Sequence, residues 1–92
     1  MLHAITLKIK PAHATAIDES GGSFQAAVGE DFKEGFNIKS VETEETGVRD
    51  EEYTPIVFIH IEVKALHVFL AKVFREGLDE KYIIKIINSE DD

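Results

Sequence analysis

The sequence predicts an α+β domain built on a mostly antiparallel sheet. Three observations carry this. Residues 56–63, IVFIHIEV, are a β-branched and aromatic run suited to a pleated, buried surface. From Lys64 the apolar period changes from two to about 3.6 residues, and Leu66, Phe69, Leu70, Val73 and Phe74 fall on one helical stripe. Residues 82–87, YIIKII, then return to a strand pattern. Pro55 to Ile87 thus reads as strand, helix, strand, and the rest of the chain must pack against it.

The remaining elements follow in chain order. Ile5, Leu7 and Ile9 alternate with Thr6, Lys8 and Lys10, which predicts a half-buried strand over residues 4–10. Pro11 ends it. Residues 12–35 support two readings. In the favoured one a helix runs from Phe24 to Glu34, with Ser23 as N-cap and Gly35 as left-handed stop. Phe24, Ala27, Val28 and Phe32 then share a stripe, and Gly29 weakens it by about 1 kcal/mol. In the other, residues 12–17 and 23–28 form a hairpin around DESGG. Phe36 to Glu44 is a third strand with Phe36 and Ile38 inward, and the phase shift at Val41 signals a bulge or fraying.

Thr43 to Thr54, TEETGVRDEEYT, has no apolar period and reads as an exposed loop or long hairpin connection. In the central strand Val57, Ile59, Ile61 and Val63 face the core, while Ile56, Phe58, His60 and Glu62 form a partly covered outer face. His67, Ala71, Arg75 and Glu76 lie off the helical stripe, and Gly77 ends the helix. Leu78 to Lys81 makes a short turn, and Lys85 marks the last strand as an edge. This order is the ferredoxin-like βαββαβ pattern: a four-stranded antiparallel sheet with two helices on one face. The alternative is a β-rich N-terminal half with one C-terminal helix. Residues 1–88 form the domain and residues 89–92 an acidic tail.

Ninety-two residues make one domain that buries roughly 60–65% of its unfolded surface, so the core is thin and a homodimer would help it. The absence of cysteine excludes a disulfide framework, thiolate zinc ligands and a cysteine nucleophile. No apolar run reaches the ~18 residues of a membrane span, and the N-terminus lacks a signal-peptide layout. The expected location is the cytoplasm. The formal net charge of −8 repels phosphates and anionic lipid, which disfavours direct nucleic-acid or membrane binding and suits a protein partner with a basic surface.

Catalytic signals are sparse. His3, His13, His60 and His67 show no metal-ligand spacing, and no serine sits in a G-x-S-x-G setting. Gly21-Gly22 lacks the lysine and spacing of a phosphate loop, and Glu51-Glu52 lacks the alternation of a calcium loop. No catalytic residue, metal site or cofactor is therefore assigned. The distinctive feature is the acidic run containing Glu42, Glu44, Glu45, Asp50, Glu51 and Glu52, joined by Glu30, Asp31, Glu34 and the acidic tail. Such a surface can compete for a basic groove by imitating a row of phosphates. The expected function is a small non-enzymatic inhibitor or regulator, of the phage or immunity-protein type. The alternatives are a regulatory domain binding a small ligand as a homodimer, and an enzyme using His60 or His67.

Overall fold

The computed structural model describes residues 2–32 and 36–89 of the chain. The elements are β1 (His3–Ile9), α1 (Pro11–Glu19), α2 (Phe24–Asp31), β2 (Ile38–Arg49), β3 (Pro55–Val63), α3 (Leu66–Arg75), a 3₁₀ turn (Leu78–Glu80) and β4 (Tyr82–Ser89). The four strands form one antiparallel sheet in the order β2-β3-β1-β4. The chain is thus α+β, as the period change at Lys64 predicts. Among the described residues no helix is long and apolar enough to cross a membrane.

Two expectations for the N-terminal half need correction. There are three α-helices among the described residues rather than two, which also excludes the β-rich alternative. Pro11 does not simply end β1; it opens α1 as its first helical residue, where the missing N–H would have had no helical partner. Ala12, Ala14 and Ala16 favour the helix, and Ala14 and Ile17 are its buried residues. Gly21, at φ +74°, closes α1. Its N–H donates to the Asp18 carbonyl at 3.1 Å, and that of Gly22 donates to the Ile17 carbonyl at 3.0 Å. Ser23 caps α2 as expected, accepting from the Ala26 N–H at 3.2 Å. The predicted helix end at Glu34 and Gly35 lies outside the described residues, and α2 itself ends at Asp31.

The second correction concerns residues 43–49, expected as loop and found as strand. Val41 and Thr43 register opposite the core-facing Ile61 and Ile59, so a β-branched pair supplies the period that the glutamates obscure. The expected irregularity near Val41 appears as a register shift between Ile38 and Ser40. A second lies between Glu45 and Arg49, where Gly47 takes φ +78°. At the other end, β4 reaches Ser89, one residue into the predicted tail.

All helices contribute to a single core on one face of the sheet. Ile5, Leu7, Ile9, Val57, Ile59, Ile61 and Val63 supply its floor, each at most 1% exposed. Phe24, Val28, Phe69 and Val73 close it from the helices. Phe74, expected on the inward stripe of α3, is 58% exposed, because the buried face is narrower and centred on Phe69 and Val73. Tyr82 is fully buried, and its hydroxyl donates to Asp31 at 2.5 Å. Burial, reinforced by that carboxylate, pushes the phenol pKa far above its ordinary value.

His13 packs edge-on against Tyr82, with ring centroids 5.8 Å apart, and its Nε2 is buried without a partner among the described residues. Burial lowers the His13 pKa, and nearby Lys81 lowers it further, against a smaller opposing effect from Asp31. The folded state therefore takes up this proton less readily than the unfolded state. Stability from this site is complete above the ordinary imidazole value of about 6.5 and is lost as pH falls below it. His13→Gln is expected to flatten the dependence of the urea midpoint on pH between about 7 and 5. An unchanged slope would rule His13 out as its source.

Candidate functional site

The face of the sheet opposite the core carries no helix among the described residues. Strand register orders its side chains into rows. One row runs Glu42, His60, Thr6, Lys85 across β2, β3, β1 and β4; the next runs Glu44, Phe58, Lys8, Ile83. A third begins Ser40, Glu62, Ala4. Acids occupy the β2–β3 half of this face and lysines the β1–β4 half. Strands repeat every ~4.8 Å, so the ends of a row lie about 14 Å apart.

His60 sits at the centre of the face, as the alternation of β3 requires. Its Nε2 lies 2.8 Å from Glu44 Oε1 and its Nδ1 3.3 Å from Thr6 Oγ1. Ser40 Oγ donates to Glu62 Oε1 at 3.0 Å. These groups border a shallow concavity of ≈ 530 Å³ lined by Ala4, Thr6, Ser40, Glu42, His60 and Glu62. The order hydroxyl, imidazole, carboxylate matches that of a nucleophilic triad. However, β1 is a central strand, and its amides are engaged in ladders with β3 and β4. The amides of β1 are thus not free to act as the paired N–H donors that stabilise an oxyanion. His67 is exposed on α3, and no hydrogen bond or ion pair joins it to His60 among the described residues. Among the described residues no three histidine, aspartate or glutamate side chains converge on a metal position.

The six acids named from the sequence occupy three settings. Glu42 and Glu44 lie on the open face, and Glu44 is held by His60. Glu45 registers with Val57 and so belongs to the opposite face, yet it is exposed. Asp50, Glu51 and Glu52 form the tip joining β2 to β3. There Asp50 is structural: its Oδ1 accepts from the Glu52 N–H at 2.8 Å and the Thr54 N–H at 3.0 Å. Glu51 and Glu52 project into water. Of the other acids, Asp31 is committed to Tyr82 and Lys81, and Glu34 lies outside the described residues.

Sequence reasoning missed Tyr53. It is 80% exposed at the tip of the β2–β3 hairpin and holds φ +65°, a left-handed conformation unusual for an aromatic residue. Its N–H donates to the Asp50 carbonyl at 2.9 Å, while Arg49 donates to its carbonyl at 2.8 Å and pairs with Asp18 at 3.1 Å. The Thr54 hydroxyl lies 3.2 Å from that of Thr15, tying the tip to α1. The tip is thus a fixed projection that carries an exposed ring beside two carboxylates. Comparison with known proteins gives no match to a family model, a curated protein or a solved structure.

Proposed function

We propose that the chain is a non-enzymatic protein-binding module, an inhibitor or regulator on a ferredoxin-like frame, that docks on a basic partner surface through the β2–β3 hairpin. The frame reading rests on two interleaved strand–helix–strand units, each enclosing a strand of the other. The observation that carries the function is Tyr53. An aromatic side chain in left-handed backbone costs about 1–2 kcal/mol, and Tyr53 recovers little of it by burial. Strain kept at an exposed ring points to use, and tyrosine is among the residues that anchor interfaces. Glu51, Glu52 and Glu45 supply charge that would steer a basic surface toward the ring.

Tyr53→Gly separates this reading from a structural role. Relief of the left-handed strain, offset by the entropy of glycine, should raise stability by about 0.5–1 kcal/mol. Partner binding should fall at least ~10-fold, as expected when a central anchor is lost. Tagged wild-type and variant proteins would be used to recover partners from the source cells, at about 0.05 M and about 0.5 M salt. Recovery that is lost with salt and with Tyr53→Gly, alongside a higher melting temperature, supports the proposal. Equal recovery by both proteins sinks it.

A further inference from the structure

The open sheet face carries a charge pattern that fits itself. Glu42 and Lys85 end the same row, and neither makes an ion pair or hydrogen bond with the described residues. The same holds for Lys8 in the next row. Within one chain the row ends are about 14 Å apart, beyond both side-chain contact and a Debye length of ~8 Å.

We propose that two copies of the chain stack through their open sheet faces, related by a two-fold axis that runs parallel to the strands between the two sheets. This rotation exchanges left for right and preserves position along the strand. It sets Glu42 of one copy over Lys85 of the other, and the reverse pair at the opposite edge. Phe58, half-buried in the single chain, then lies over the aliphatic stem of the second copy's Lys8. Packed sheets lie ~10 Å apart, a gap that a glutamate and a lysine together can span. The other possible in-plane axis, across the strands, would stack Glu42 on Glu42 and Lys85 on Lys85, so charge selects the first. The contact is isologous and closes at two copies.

Four strands and about seven residues per strand give a flat area of roughly 19 × 23 Å, on the order of 450 Å² per copy. Stable complexes commonly bury ~800 Å² per partner, so this dimer should be weak, concentration-dependent and salt-sensitive. It uses residues other than the hairpin tip, so its fate does not decide the docking proposal.

The test is sedimentation velocity of the whole chain from about 10 μM to about 1 mM at low salt. The wild type should pass from monomer to dimer. Glu42→Lys alone and Lys85→Glu alone should each raise the dimer dissociation constant at least ~10-fold, because each sets like charges together. The double variant E42K/K85E restores opposite pairs with inverted sign, and its dissociation constant should return to within about threefold of wild type. Circular dichroism melts confirm that each variant is folded. A chain monomeric throughout the range overturns the proposal. So does a dimer indifferent to the single reversals, or a double variant no better than the singles.

Discussion

Phe69→Ala is expected to destabilise the protein by about 3–5 kcal/mol, enough to unfold much of the population of a small domain whose whole stability is of order 5–15 kcal/mol. Phe69 is 1% exposed and lies at the junction of α2, α3 and the chain entering β2. Its ring stacks on Phe32 with centroids 6.1 Å apart and tilts against Phe36 at 5.8 Å. Phe32 in turn meets Tyr82 at 5.1 Å, so one ring links the helical layer to an edge strand. Truncation removes a large apolar surface and leaves a cavity between rigid neighbours that cannot collapse into it. The melting temperature should fall by roughly 15–30 °C. Phe74→Ala, on the exposed side of the same helix, should stay within about 0.5 kcal/mol of wild type. Urea denaturation of both variants checks the pair; similar losses would mean that α3 buries a different face.

The second large effect is on binding. Reversing Glu45, Glu51 and Glu52 to lysine changes the formal net charge from −8 to −2, since three reversals add six units. These three are exposed, and the hydrogen bonds of the tip do not use their carboxylates. The fold should therefore hold while a basic partner meets like charge, which costs several kcal/mol, or a loss of ~100-fold or more. Surface plasmon resonance against the recovered partner gives the measurement. Most of the early loss should fall in the association rate, because charge at the rim steers encounter. Asp50 is left in place deliberately, because its carboxylate holds the turn through two backbone amides. Unchanged affinity in the triple variant would assign recognition to some other surface.

The second half of the chain was legible because its periods are clean. IVFIHIEV is a β-branched and aromatic run relieved only by His60 and Glu62, and Gly77, at φ +72°, stops α3 where the apolar stripe ends. The first half hid two elements for distinct reasons. Pro11 carries two opposite local meanings, strand end and helix start, and only Ala12 to Ile17 beyond it decides between them. In β2, five of twelve residues are charged, and Gly47 breaks the register, so alternation cannot be followed by eye. The strand forms because its partner β3 is strong, a tertiary effect with no local signature. The acidic side chains were legible individually, but their division between two sheet faces and a turn depends on register. Tyr53 was invisible for a related reason: backbone strain is fixed by the closure of the hairpin and not by composition.

The placement of β1 between β3 and β4 also bears on how the chain acquires its shape during synthesis. Both neighbours of this strand arise from residues 55–89, so its apolar side, Ile5, Leu7 and Ile9, is made first and matched last. At translation rates of about 5–20 residues per second the interval is several seconds. Closing a loop over so much chain is slow compared with local helix formation. Until residues 55–89 have emerged, the nascent chain therefore carries this apolar strand unmatched, and holding chaperones have their clearest opportunity in that interval.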